Sequence, residues 1–243
     1  MTNLLIGTSG WVYDSWRGLF YPPELKAQEE LRFFAEEFST VEINYTFYKL
    51  PEQDVFSAWR NQVPKDFLFS VKASRFLTHM KKLKDAKDPW ERILERTRKL
   101  KSKCGPILLQ FPEKWKKNKE RLEEFLKVVR TSEASDSRLV FELRNSSWAC
   151  DDILDLLREN NAAFCIADSY KFQRFNVATA DFVYFRYHGM SKSNPDYSKK
   201  RLRKEAKLIE SFLADGLDVF VYFNNDTEGF AIENARVLKE MLT

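Results

Sequence analysis

Seven short apolar segments of this chain each end on a polar side chain, and this repetition restricts the fold more than any other feature. The fullest instance is Leu139-Val-Phe-Glu-Leu-Arg144. Successive side chains of a strand point to opposite faces. Phe141 and Leu143 therefore take one face, and Glu142 and Arg144 the other. A parallel strand covered by helices on both sides is apolar on both faces, so charge on one face calls for a polar interior that supplies partners. The same alternation sets Glu42 and Asn44 against Val41 and Ile43, and Ser70 and Lys72 against Val71. It also sets Arg186 and His188 against Phe185 and Tyr187. Gln110, Asp168 and Asn224 close three further segments. One arrangement accommodates all seven: a closed parallel barrel whose polar strand ends meet at its C-terminal face.

Between these segments the pattern changes to helical spacing. Leu31, Phe34, Ala35 and Phe38 form one such face; Leu122, Phe125, Leu126 and Val129 form another; Leu202, Ala206, Ile209 and Phe212 form a third. Eight strands are expected, at residues 4–8, 40–44, 67–73, 107–111, 140–144, 163–168, 182–188 and 218–223. Strand and helix alternate throughout. The connection over 169–181 is too short for a helix and two loops, so the link between strands six and seven should be irregular. Asp88, Pro89 and Glu91 have the pattern of a helix start, and Gly105-Pro106 that of a helix stop before strand four. The expectation is α/β: a single (β/α)8 TIM-barrel-like domain over residues 1–243, close to the ~250 residues such a barrel takes.

Charge and cysteine content narrow the function classes. Forty Lys and Arg stand against 36 Asp and Glu, a net +4. That balance does not itself call for nucleic acid. No apolar run reaches membrane-spanning length, and the first residues lack the basic and apolar pattern of a secretory signal. Three dispersed cysteines, Cys104, Cys150 and Cys165, read as reduced thiols. A cytoplasmic protein is expected, with no membrane partner; the oligomeric state is left open.

The candidate catalytic groups are Glu42, Lys72, Glu142, Asp168 and His188. Two carboxylates in unequal surroundings can divide acid and base roles; alternatively Glu42 and Glu142 belong to a structural ion-pair network with Lys72, Arg144 and Arg186. Lys72 serves as a base or forms a Schiff base if desolvated, or is simply a counter-ion. His188 ends strand seven, where side chains reach the barrel mouth. His79, in a loop, is a weaker candidate. Asn44, Gln110, Arg144, Arg186 and Asn224 are candidate substrate-binding groups, with Trp11, Tyr13, Tyr48 and Trp148 as mouth aromatics able to stack on a sugar or base. Two histidines and no CxxC exclude an imidazole-rich zinc cluster. No cofactor is required, and carboxylate-bound Mg or Mn stays open. Lysines follow strand three (Lys81, Lys82, Lys84, Lys87), strand four (Lys114, Lys116, Lys117, Lys119) and strand seven (Lys192, Lys199, Lys200, with Arg201 and Arg203). They are expected to form a positive rim that attracts a small anionic molecule or nucleic acid.

Six stretches taken in order resemble a known family. They are Ile6-Gly-Thr-Ser-Gly-Trp-Val-Tyr13, Thr40-Val-Glu-Ile-Asn-Tyr-Thr-Phe-Tyr48, Val71-Lys-Ala73 with Thr78-His79, Phe141-Glu-Leu-Arg144 with Ser147-Trp148, Tyr187-His-Gly189, and Asn224-Asn-Asp226. Together they are similar to the YecE-like family, the domain of unknown function numbered seventy-two. The resemblance spans nearly the whole chain and implies a TIM-barrel-like fold. It implies no settled activity and no catalytic residues. The chain departs from it at Pro112-Glu113, where the family often carries two prolines. Three functions follow as expectations: an acid–base enzyme on a small phosphorylated or sugar-like anion, a nucleic-acid binding or processing protein, or a non-catalytic ligand-binding barrel.

Overall fold

The computed structural model describes residues 3–132 and 136–243. Nine parallel strand segments make up eight barrel staves: β1 (Leu4–Thr8), β2 (Thr40–Ile43), β3 (Leu68–Lys72), β4 (Cys104–Gln110), β5 (Leu139–Glu142), β6 (Ala163–Phe164) with β7 (Ile166–Asp168), β8 (Phe182–Tyr187) and β9 (Asp218–Phe223). They pair in two runs, β1-β9-β8-β7 and β2-β3-β4-β5-β6. The runs join twice. At Cys165 a single stave is interrupted, so that its first half pairs with β5 and its second with β8. At the other seam Ser9 bridges Glu42, and the Gly10 amide donates to the Glu42 carbonyl at 2.8 Å. The order thus runs in a ring, and the fold is TIM-barrel-like.

Gly7 explains how closely the β1–β2 seam packs. A Cβ built there would lie 2.1 Å from the Thr40 carbonyl oxygen, so any side chain would force the two backbones apart.

Helices α1 (Glu30–Glu37), α2 (Tyr45–Tyr48), α3 (Gln53–Gln62), α4 (Lys87–Thr97), α5 (Lys119–Arg130), α6 (Asp151–Glu159), α7 (Lys199–Ala214) and α8 (Phe230–Leu242) surround the barrel. The spacing of Leu122, Phe125, Leu126 and Val129 buries one face of α5, and Asn118 caps it by accepting from the Arg121 amide. Residues 169–181 form no helix, as their length requires. Two apolar layers lie between staves and helices. A third fills the barrel itself: Leu5, Leu108, Val140, Ala163, Cys165, Ala167, Phe182, Tyr184, Phe220 and Tyr222.

Three local expectations need correction. The Asp88 side chain does not cap α4, which begins one residue earlier behind Ala86. Gly105 and Pro106 lie inside β4, while Lys101, at φ 54°, breaks the preceding helical turn. The long loop after β3 contains a π-helical turn, Phe76–Met80, that presents His79. Among the described residues no helix is long and apolar enough to cross a membrane.

Candidate active site

The inward parity read from the strands brings charge to one level of the barrel. Arg186, fully buried on β8, extends across the interior to both Glu42 on β2 and Glu142 on β5. Its Nε and Nη2 donate to the two Glu42 oxygens at 3.0 and 2.8 Å, a bidentate pair. Its Nη1 donates to Glu142 Oε2. Further donors reach the same carboxylates. Ser9 Oγ and Tyr184 OH each donate to Glu42 at 2.7 Å. Arg144 Nε donates to Glu142 Oε1 at 2.6 Å, and His188 Nε2 stands 3.3 Å from the same oxygen. Beneath this layer, Tyr184 also meets Ser70, and Tyr222 meets Thr40, each at 2.6 Å.

These contacts settle the charge states. Burial disfavours ionised Glu42, but Arg186 and Lys72 outweigh it and hold the carboxyl below its ordinary range. Burial is likewise overcome at Glu142 by Arg144, Arg186 and His188, which hold it well below that range. An acid and a base in unequal surroundings are therefore not what the two carboxylates form; both stay ionised as counter-ions of one guanidinium. Burial and Arg186 keep the His188 ring neutral, against the pull of Glu142. Its Nδ1 lies 3.1 Å from Asn224 Nδ2, and Asn44 Nδ2 lies 3.4 Å from Asn224 Oδ1. If Asn224 donates to Nδ1, the ring proton sits on Nε2 and faces Glu142.

Lys72 is the exception to this pairing. It ends β3 inside the barrel and is 9% exposed. Its Nζ lies over the Phe47 ring, 4.4 Å from the centroid. Among the described residues it makes no ion pair, because the carboxylate oxygens nearby are engaged by other donors. Burial, then the Arg186 charge, pull its pKa down to about 7, with Glu42 and Glu142 opposing. The neutral amine is thus within reach near physiological pH. His79 shares this environment. Burial and the cations Lys72, Arg144 and Arg75 lower its pKa to about 4, and its ring meets Phe47 edge-on at 5.0 Å.

Arg144, His188 and Asn224 line a cavity of about 300 Å³ with Ser169, Tyr170, Lys171 and Phe172. A second cavity, about 590 Å³, is largely aromatic, with Trp11, Tyr13, Tyr45, Tyr48 and Trp59 in its wall beside Asn44. Gln110 is buried at the top of β4, in register with Glu142.

Two expected site residues lie elsewhere. Asp168 faces outward, because Ala163, Cys165 and Ala167 take the inward positions of that stave. It meets Arg201 at 3.2 Å, within a cluster that includes Arg174 and Glu205. Trp148 is fully buried behind β5, donating to the Trp115 carbonyl at 2.8 Å. Trp11 and Tyr13 are partly structural. The Trp11 carbonyl accepts from Tyr21 OH and its ring packs on Trp59; Tyr13 OH donates to the Ser9 carbonyl. Tyr48 is 79% exposed.

The expected rim is partly neutralised: Lys81 pairs with Asp85, Lys117 with Asp152, Lys119 with Glu123, and Arg201 with Asp168 and Glu205. No group of three or more His, Cys, Asp or Glu able to hold a metal occurs among the described residues. Magnesium or manganese at Glu42 and Glu142 would have to displace Arg186, so these residues do not fit such an ion.

Tyr184 and Ser9, which complete the coordination of Glu42, escaped the sequence reading. The signal for Tyr184 was available, since it shares the parity of Arg186 two residues on. Phe47 and the full role of His79 carried no such signal.

Comparison with known proteins identifies relatives of the chain. The chain is 25% identical to the UPF0759 protein YunF of Bacillus subtilis over 98% of this chain and 94% of that one. It is 31% identical to the UPF0759 protein YecE of Escherichia coli K12 over 45% of this chain and 38% of that one. A crystal structure of a DUF72 family protein from Thermotoga maritima superimposes with a TM-score of 0.87 at 29% identity, covering 99% of each chain. The model for "Protein of unknown function DUF72" matches residues 5–243, and the chain belongs to that family.

Proposed function

We propose that this protein is an enzyme that binds a small anionic substrate at the C-terminal mouth of its barrel, with the Lys72 amine as the acid–base group. The observation that carries this reading is a buried lysine that makes no ion pair among the described residues, set beside the fixed Glu42–Arg186–Glu142 array. A group whose pKa lies near the working pH is suited to proton transfer, and Lys72 has that property where both glutamates do not. Arg144 and Lys171 around the mouth cavity supply donors for an anion. The three unpaired cysteines agree with a cytoplasmic setting.

Inorganic phosphate is the first probe. Its affinity, measured calorimetrically, should fall as pH rises through about 7 and Lys72 loses its proton. Lys72→Met should weaken binding roughly 10- to 100-fold, the worth of one charge-assisted hydrogen bond. Binding indifferent to both pH and Lys72 counts against the reading. Tight oligonucleotide binding with a steep salt slope would favour the nucleic-acid alternative.

A further inference from the structure

We propose that Lys72 captures the carbonyl carbon of a small oxo acid as an imine, with the carboxylate of that substrate held by Arg144. This rests on the reading of the mouth given above and narrows its substrate class. The geometry of Lys72 differs from that of a counter-ion. Its Nζ rests on an aromatic face, 4.4 Å from the Phe47 centroid, while other donors occupy the oxygens of Glu42 and Glu142. No acceptor among the described residues takes a hydrogen bond from it, so nothing is placed to relay a proton away. Arg186 fixes a second positive charge nearby that cannot be titrated off. Desolvation and an adjacent cation are the two devices that turn a lysine into a nucleophile. Lys72 ends an inward-facing strand, the end at which barrel side chains reach the mouth, and its 9% exposure leaves no room for a large molecule. Arg144 lies within electrostatic reach of both Lys72 and His79 and lines the adjoining cavity.

The lone pair of the neutral amine forms a C–N bond to the carbonyl carbon while the C=O π pair moves to oxygen. One amine proton passes to that oxygen, giving a carbinolamine. With one further proton from solvent, the oxygen leaves as water, and the nitrogen lone pair completes a protonated imine. No oxidant or reductant is needed. The cationic imine then withdraws electrons from the neighbouring carbon, as an oxo-acid transformation requires.

The test uses glyoxylate and pyruvate as probes, with acetaldehyde as the uncharged control. Each is mixed with the intact protein at pH 7, reduced with borohydride and mapped by peptide mass spectrometry. Lys72 should be labelled at least ~100-fold faster than any other lysine, since an ordinary side chain is almost wholly protonated at that pH. Glyoxylate should label faster than acetaldehyde, and in Arg144→Met the ratio of the two rates at Lys72 should fall toward one, whatever the absolute rates. Lys72→Arg, which keeps the charge but cannot form the imine, should remove the selective label. The peptide map of the parent protein decides the main point without any variant. Labelling spread evenly over the lysines, or none at Lys72, overturns the proposal. If phosphate binding still depends on Lys72 in that case, the acid–base reading stands and only the imine falls. If phosphate binding is also indifferent to Lys72, both fall.

Discussion

Replacing Arg186 with methionine should cost the protein about 3–5 kcal/mol or more at pH 7, the largest single-residue loss the site allows. The side chain removed is fully buried and is the shared counter-ion of Glu42 and Glu142, themselves 0% and 1% exposed. Methionine restores much of the volume but leaves two carboxylates out of water with only Lys72 and Arg144 as nearby cations. The pH dependence should change sign as well. In the parent, both folded carboxyl pKa values lie below their unfolded values. Their contribution is therefore present above the unfolded carboxylate range, near 4.3, and is lost as pH falls through the folded values. In Arg186→Met, desolvation and mutual repulsion should raise both pKa values, so the variant should gain stability on mild acidification. Urea unfolding at pH 5 and pH 7 reads both effects. A loss under about 1 kcal/mol, or an unchanged pH slope, would show that the array is not holding charge as described.

Lys72→Met should have the opposite effect on stability. The folded amine titrates at about 7, against an ordinary lysine value of 10.5. Between those values the unfolded chain binds more protons, so stability rises with pH across that window. Below it, holding the charged amine inside the barrel costs about 5 kcal/mol. Methionine removes that cost. The variant should be more stable than the parent by this order at pH 6, with the advantage shrinking toward pH 10. It should also lose phosphate affinity and imine trapping. A substitution that stabilises the fold while removing binding is the pattern expected where a strained group is kept for chemistry. A destabilised variant would instead make Lys72 a structural counter-ion.

The sequence exposed the centre of this site because strand alternation is a geometric rule. Glu42, Lys72, Glu142 and Arg186 each interrupt an apolar strand with inward parity, and the structure brings all four within electrostatic reach of one another inside the barrel. The rule fails where both faces of a strand are apolar. In Phe164-Cys-Ile-Ala-Asp168 nothing marks which face is inward, and Asp168 was assigned to the wrong side. Trp148 shows a second limit: an aromatic near a strand end can pack behind the barrel as readily as over its mouth, and only three-dimensional packing separates the two. His79 shows a third. A π-helical turn has no simple residue pattern, so the segment read as a loop although it sets the imidazole beside Phe47. The charge pairing was legible as one of two alternatives. The parity that suggests an acid–base pair also allows an ion-pair network with Arg144 and Arg186, and the structure shows those pairs.

Lys72 is a largely desolvated amine with no ion pair among the described residues, and the proposed chemistry depends on this. The direct test is an NMR titration of the lysine side-chain resonances, with Lys72 assigned by comparison with Lys72→Arg. The account predicts one lysine with a midpoint near pH 7, absent from the variant. A Lys72 midpoint near 10.4, among the ordinary lysines, would contradict it.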